Sequence, residues 1–264
     1  MPRLLDEDAF GDVPEDLPLH VACGGGFTVA TTTSGKVYSW GKCSRGRLGQ
    51  GPPSRIGRGR NRRGNTSRGR YSQHLLYPGR VRFFVNEDES GVKRENDDIN
   101  IRGIASGGFH ALSFDKLGVV YSWGAGDAGQ LGLGSTIDQL RPQVIASIRK
   151  CTAVSCGYVT SAAVDSSGHV YTWGGGGVRS LGHGLPTLSL SDRSRLLRES
   201  RILPISGVSV SNKDESMTMI RQDWTAPRRV EALVDKNVIS MDAGDVFMAC
   251  VTASGMMYEE ISLL

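Results

Sequence analysis

The sequence predicts an all-β fold: a partial β-propeller, about half a ring of four-stranded blades, with two long loop insertions. A short strand that ends in Trp-Gly occurs three times, at 37–41, 120–124 and 170–174. Trp123 and Trp173 are 173 − 123 = 50 residues apart, and a period near 50 with about four strands per unit is typical of propeller blades. Glycine, at 35 of 264 residues, is frequent enough for the many tight turns of such a fold.

Each repeat begins with a predicted β-hairpin. In repeat one, the alternating stretch 27–31 is followed by a turn at 34–36 and by a returning strand at 37–40, which is the pattern of two antiparallel strands. Repeats two and three align with it without gaps and keep a glycine five residues before the Trp. The four predicted repeats lie near 18–51, 101–134, 142–184 and 227–264. A further strand is predicted between repeats, at 78–81, 142–144 and 227–230.

The repeats divide the chain into a flexible lead-in at 1–16 and an incomplete propeller at 17–264. The predicted insertions lie near 52–77 together with 86–98, and near 187–223. Repeat four reaches Leu264 without a Trp-Gly pair, so the sequence predicts an unclosed ring with exposed sheet edges. Three explanations stay open: a fragment of a longer protein or a truncated gene model, pairing of two half rings, or an open array.

The recurring residues are predicted to be structural. The Trp rings are expected to pack between blades, and the glycines after them to permit a positive φ at the corner. The predicted corner residues are Trp40, Gly41, Trp123, Gly124, Trp173 and Gly174. Cys23, Ser106 and Cys156 share one position, which indicates a small buried slot and not a metal ligand. His110 aligns with Phe27 and Thr160 and is therefore not predicted to be catalytic.

No catalytic, cofactor-binding or metal-binding set is predicted. The sequence has no phosphate-binding G-x-x-x-x-G-K-[ST] loop, no H-E-x-x-H and no G-x-S-x-G. Its five Cys form no C-x-x-C pair, which favours reduced thiols in an intracellular protein of the cytoplasm or nucleus. There is no signal-like apolar run and no stretch of roughly 20 apolar residues, so neither secretion nor a membrane span is expected. Trp224 has no assigned role.

An Arg-Gly segment is the strongest candidate for a functional loop. Residues 55–70 carry seven Arg and no acidic residue, so the rest of the chain has a net charge of 4 − 7 = −3. Flexible Arg-Gly chains contact phosphates, and the predicted nucleic-acid-binding residues are Arg58, Arg60, Arg62, Arg63, Arg68 and Arg70. The alternative is a solvated loop. The acidic residues of 86–98 are a candidate mask for these arginines. Residues 187–223 are predicted to be a surface loop with a helical turn, and the alternative is a short basic helix.

The repeat resembles that of the regulator of chromosome condensation family. Repeat two shows it best, in Ser106-Gly107-Gly108-Phe109-His110, then Gly118 to Trp123-Gly124, then Gly129-Gln130-Leu131-Gly132-Leu133-Gly134. The resemblance implies a β-propeller, seven-bladed in the founding member, which is an exchange factor for a small GTPase and docks on nucleosomes. Other relatives include domains of ubiquitin ligases and a plant photoreceptor, so fold alone does not fix the function.

The resemblance therefore implies an interaction module for protein partners, with a small GTPase as the specific case. Nucleotide exchange would work by a loop that displaces Mg²⁺ and the phosphate-binding loop of the GTPase. No residue here matches such a loop. The alternatives are nucleic-acid or chromatin binding through 55–70, and a truncated product without independent function. Self-association through the open blade edges is a further expectation.

Overall fold

The chain forms four antiparallel sheets in a computed structural model that describes residues 16–52, 74–83, 99–175, 181–183, 224–245 and 247–259. Each sheet is one blade, and its strands follow one another in chain order. Within these ranges the only helical segments are single 3₁₀ turns at Ser44–Gly46 and Glu231–Leu233. The predicted all-β, unclosed propeller is confirmed.

The strand bounds repeat from blade to blade. Blade 1 consists of β1 (Pro18–Cys23), β2 (Phe27–Thr32), β3 (Val37–Lys42) and β4 (His74–Val81). Blade 2 consists of β5 (Ile101–Ser106), β6 (His110–Asp115), β7 (Val120–Gly124) and β8 (Gln139–Val144). Blade 3 consists of β9 (Cys151–Cys156), β10 (Thr160–Asp165), β11 (Val170–Gly174) and β12 (Arg228–Arg229). Blade 4 consists of β13 (Val238–Ala243), β14 (Met248–Thr252) and β15 (Met257–Glu259).

The hydrophobic core lies between blades. Val29 and Val37 of blade 1 pack with Ile101 and Trp123 of blade 2. The same arrangement recurs between blades 2 and 3, and again between blades 3 and 4. The second strands of blades 1, 2 and 3 are buried along nearly their whole length. A single blade would bury little apolar surface, so the stack is the stable unit.

A row of glycines sets the spacing of the blades. Gly24, Gly107, Gly157 and Gly244 take the same position in the four blades. A Cβ on Gly24 would overlap the carbonyl oxygen of Gly107, one on Gly107 that of Gly157, and one on Gly157 that of Gly244. The main chain is also bonded between blades, as Gly25 N donates to Gly107 O at 3.1 Å. Only glycine allows the first strands to approach so closely.

The first and last described blades each present one uncovered face. Val21 of β1 is 67% exposed, whereas Ile104 and Val154, at the same position in blades 2 and 3, pack against the preceding blade. At the other end Met257 of β15 is 68% exposed, whereas Val37 at its position in blade 1 is buried. In the described residues, exposure therefore depends on whether a neighbouring blade is present.

Two expectations about local environment need correction. The small buried slot predicted for Cys23, Ser106 and Cys156 is wrong for Cys23, which is exposed, whereas Ser106 and Cys156 are partly buried and the Ser106 hydroxyl oxygen is buried. Asp16, assigned to the flexible lead-in, is buried. Its carboxylate accepts hydrogen bonds from Ser34 N at 3.0 Å and Ser34 Oγ at 2.7 Å. The ordered blade therefore includes at least Asp16.

Candidate partner-binding faces

The Trp-Gly corners hold adjacent blades together. Trp123 is fully buried, and its Nε1 donates to Arg47 O of blade 1 at 3.1 Å. Trp173 is also fully buried and donates to Gln130 O of blade 2 at 2.9 Å. Trp40 is only partly buried, because no described blade precedes it. These residues leave no indole at the second and third corners free for a ligand.

The glycines that follow the Trp residues are required by the backbone. Gly41, Gly124 and Gly174 have φ values of 108°, 105° and 102°, a region that side chains disfavour. In each blade this glycine pairs with the first residue of the second strand, as His110 pairs with Gly124. A Cβ on Gly124 would lie 2.5 Å from Phe109 O. The corner is thus a structural device repeated in three blades.

The described loops form two opposite faces. The turn face comprises the turns between second and third strands, near 33–36, 116–119, 166–169 and 253–256. The loop face comprises the connections between first and second strands, near 24–26, 107–109 and 157–159, and the segments that follow the third strands. Because the strands are antiparallel, these faces lie at opposite ends of the blades.

On the loop face, a buried arginine lies beside aromatic rings from neighbouring blades. Arg47 Nη1 donates to Gly25 O at 2.7 Å, and its Nε donates to Ser44 O at 2.9 Å. The guanidinium lies 4.7 Å from the ring centre of Phe109, which packs edge-on against Tyr158. Burial lowers the pKa of Arg47. Its hydrogen bonds and the aromatic face compensate for the lost water, so Arg47 fixes the loops and is not exposed to a partner.

A second arginine connects the loops of blades 1 and 2. Arg45 has a left-handed backbone with φ 60°. Its Nε and Nη2 donate hydrogen bonds to the carboxylate of Asp138 at 3.0 and 2.8 Å. Its Nη1 also donates to Asp127 at 2.9 Å. The hydrogen bonds to Asp138 and Asp127 raise the pKa of Arg45. This network is partly exposed, so it contributes little stability at high salt.

His110 and Ser161 lie together without forming a catalytic pair. His110 Nε2 is 2.8 Å from Ser161 Oγ, which donates to Gln130 O at 2.7 Å. Both side chains are fully buried. Burial lowers the pKa of His110 to about 4. Within the described ranges no carboxylate orients the imidazole, and a substrate cannot reach the serine. The pair connects blades 2 and 3.

Comparison with protein-family models identifies the repeat in two segments of the chain. Residues 19–50 and residues 118–164 each match the model described as "Regulator of chromosome condensation (RCC1) repeat". These two segments of the chain carry the RCC1 repeat, which confirms the resemblance of the motif. The matches include the Trp-Gly corners of blades 1 and 2 and the first two strands of blade 3.

Relatives share the RCC1 repeats over part of their length. The Ultraviolet-B receptor UVR8 of Arabidopsis thaliana is 30% identical over 141 residues, which are 53% of this chain and 25% of the relative. The mitochondrial RCC1 domain-containing protein RUG3 of Arabidopsis thaliana is 26% identical over 241 residues, 90% of this chain and 40% of the relative. The crystal structure of human WBSCR16 matches with a TM-score of 0.55 at 19% identity, covering 92% of this chain and 47% of that one, and shows the shared fold. The chain thus spans well under two thirds of each.

The Arg-Gly segment lies outside the described residues. Arg58, Arg60, Arg62, Arg63, Arg68 and Arg70 belong to the stretch between Pro52 and His74. That stretch leaves and rejoins blade 1 on the loop face, as does the stretch between His183 and Trp224 in blade 3. The segment that contains the acidic residues of 86–98 begins at the other end of β4, on the turn face. The Arg-Gly stretch and the proposed acidic mask therefore join the blade at opposite ends of β4.

Sequence reasoning also missed the place of Trp224. Gly174 N donates to Trp224 O at 2.9 Å, and Gly134 N donates to Thr225 O at 2.9 Å. Trp224 therefore belongs to blade 3, where its side chain packs against the core shared with blade 4. Its pairing partner lies 50 residues earlier in the chain, so only the main-chain register reveals it.

Among the described residues, no group of three or more His, Cys, Asp and Glu side chains is placed to hold a metal ion. The five cysteines are free thiols, and Cys151 and Cys250 are buried. Burial raises the pKa of Cys151 to about 12, so that thiol is inert near neutral pH. No helix in the described ranges is long and apolar enough to cross a membrane.

Proposed function

We propose that this chain is an RCC1-repeat module that binds protein partners through the loops of its propeller faces. The observation that carries this proposal is that, within each blade, strand side chains form the core while the loops are exposed. Strand side chains such as Trp123 and Leu112 are fully buried between blades, whereas the loops at both ends of the blades are open to a partner. Those loops differ between blades, while the strands repeat.

The finer proposal is that the partner is a small GTPase and that binding accelerates nucleotide release. It rests on the family resemblance. Exchange requires a loop to displace Mg²⁺ and the phosphate-binding loop of the GTPase, and no covalent chemistry by this chain. Release of a fluorescent GDP from candidate GTPases, with and without the folded full chain, tests it. Unchanged release rates would remove the exchange proposal, while capture of a protein partner without exchange would leave the module proposal standing.

A second candidate function is nucleic-acid or chromatin binding through the Arg-Gly segment. It is favoured by the seven Arg between 55 and 70 and by the loop-face position of the residues that flank them, Pro52 and His74. A gel shift whose strength falls steeply with salt, and which is lost when the arginines of 58–70 are changed to Ala, would support it. For either partner we propose a nuclear or cytoplasmic location.

Self-association through the open blades is also proposed. The uncovered face of blade 1 and the uncovered face of blade 4 are the two halves of the junction found between all other blades. Sedimentation over a range of concentrations should show association that the change Val21→Asp weakens. A monomer at all concentrations would oppose the proposal.

A further inference from the structure

The turn of blade 2 departs from the turns of the other blades. The repeat serves as an internal alignment, because Gly118 has the same place and positive φ as Gly35, Gly168 and Gly255. The two residues before this glycine are Thr33-Ser34, Ser166-Ser167 and Ala253-Ser254 in blades 1, 3 and 4. In blade 2 they are Lys116 and Leu117, and Leu117 is 71% exposed. Since serine supplies the same turn elsewhere, folding does not require this leucine.

The segment that enters blade 3 adds two more cations at the same place. Arg149 and Lys150 are exposed, and Lys150 has a left-handed backbone with φ 53°. The residue at this position before blade 4 is Asn237, with φ 48°, and Asn adopts this conformation more readily than Lys. Lys150 is thus a backbone outlier at an exposed position, from which we infer a role beyond folding.

The backbone brings these two segments together. Cys151 N donates to Gly118 O at 3.0 Å, and a Cβ on Gly118 would lie 2.5 Å from the Cα of Lys150. The blade 2 patch is therefore Lys116, Leu117, Arg149 and Lys150 on the turn face. Arg102 of β5, also exposed, lies at the register shift between Ile101, which pairs with Asp115, and Gly103.

The nearest carboxylate of the turn does not neutralise the patch at the surface. Asp115 is buried, and its oxygens accept hydrogen bonds from Leu117 N, Val119 N and the hydroxyl of Tyr121. In the part of the chain that the structure describes, no carboxylate forms an ion pair with the three cations of the patch. Three cations thus lie on two adjoining backbone segments together with one exposed apolar side chain.

We propose that the blade 2 patch binds an acidic peptide segment of a protein partner. Carboxylates of the segment meet Lys116, Arg149 and Lys150, and an apolar side chain between them covers Leu117. A nucleic acid fits less well, because it binds through longer basic tracks or stacks on exposed aromatic rings, whereas the patch offers three cations and a leucine. This inference rests on the proposed interaction module and names the chemistry of its partner.

A fluorescein-labelled peptide, Glu-Glu-Leu-Glu-Glu, probes the patch by fluorescence anisotropy with the full chain. The double variant R149S/K150N and, independently, K116S/L117S should each weaken binding about tenfold, since exposed ion pairs are modest individually and add when separated. The variant K116S/L117S carries the serines of blade 3 and keeps its turn. K236S is the matched control, because Lys236 precedes Asn237 as Arg149 precedes Lys150, and its affinity should stay unchanged.

The outcomes separate this inference from the module proposal. Equal peptide affinity for the wild type and both double variants would overturn it. So would a short single-stranded DNA that binds the patch while the peptide does not. A protein partner captured equally by the wild type and R149S/K150N would leave the module proposal intact and remove this one. Thermal unfolding of each variant shows whether a loss of binding is a loss of fold. K150N should unfold no earlier than the wild type, because Asn relieves the strain.

Discussion

His110 lies at the junction of blades 2 and 3, where an imidazole is buried between blades. Burial lowers its pKa to about 4, whereas an unfolded chain has a His pKa of about 6.5. Between these values the unfolded chain binds a proton that the folded chain does not. The free energy of unfolding should therefore fall as the pH drops from about 6.5 to about 4, by up to about 3 kcal/mol from this group. Urea unfolding across that window measures it.

His110→Phe is the matched variant, because Phe27 occupies the same position in blade 1 and is buried there. The variant loses the hydrogen bond to Ser161 but also loses the titrating group. Its stability should depend less on pH than that of the wild type over the same window. Parallel curves for the two proteins would show that folding does not shift the pKa of His110. His183, whose pKa burial also lowers, is present in both proteins and cancels in the difference.

At the scale of the element, the turn of blade 1 uses a carboxylate from outside the four strands of the blade. In blades 2 and 3 the last residue of the second strand, Asp115 or Asp165, accepts the main-chain hydrogen bonds of the turn. Blade 1 has Thr32 there, and Asp16 reaches the turn instead. Burial opposes the charge of Asp16, but hydrogen bonds from Thr32, Ser34 and Lys36 outweigh it and hold its pKa well below the usual range.

Removing this carboxylate should destabilise blade 1, and restoring one within the repeat should rescue it. Asp16→Ala is expected to lower the free energy of unfolding by about 2 kcal/mol, since buried partners lose a charged acceptor. Adding Thr32→Asp to that variant places the carboxylate where blades 2 and 3 have it, and should recover part of the loss. Chemical denaturation at neutral pH measures both. A double variant less stable than D16A would show that the turn cannot use the repeat position.

The Trp corners predict unequal effects of the same substitution. Trp123→Phe removes a buried hydrogen bond to Arg47 O and leaves a cavity between blades, for a loss of about 2–3 kcal/mol. Trp40→Phe should cost less, because Trp40 is only partly buried. Thermal or denaturant unfolding of the two variants gives the comparison. Equal losses would mean that something covers blade 1 in solution as blade 1 covers blade 2.

The blades were predictable because their side chains serve one junction repeated along the chain. Aligning Trp40, Trp123 and Trp173 fixes the hairpin register. The glycine that follows each Trp predicts the positive φ at the corner. Exposure was not predictable in the same way. Val21 and Ile104 share a position and differ only in whether a blade lies in front of them, so the supposed buried slot at Cys23 was wrong.

The candidate site was less predictable than the fold. The signal of the blade 2 patch was present in the sequence, since Lys116 and Leu117 replace the Ser and Thr of other turns, but its meaning depends on the neighbouring segment. The backbone contact of Gly118 with Lys150 shows that the turn and the segment that enters blade 3 lie side by side. The role of the Arg-Gly segment at 55–70 stays a prediction, because it lies outside the described residues.

At the scale of the whole molecule, the glycine row allows adjacent blades to pack closely, so its effect depends on whether a blade has a neighbour. Gly107→Ala places a methyl group against Gly157 O and the ring of His110, so blades 2 and 3 must separate or the ring must move. Overpacking against main chain costs about 1–3 kcal/mol or more. Gly244→Ala has the same local chemistry, but the nearest atom to its Cβ is Phe247 O at 3.8 Å, because no described blade follows blade 4.

We therefore expect G107A to be strongly destabilised and G244A to unfold nearly as the wild type does. Both substitutions add one methyl group to the same turn of the same repeat, so propensity and unfolded-state effects largely cancel between them. Denaturant unfolding of the full chain gives the two losses. If G244A were destabilised as much as G107A, the face of blade 4 would be covered in solution by another blade, either from a second copy or from elsewhere in the protein. The ratio of the two losses thus reports whether the last blade of the stack has a neighbour.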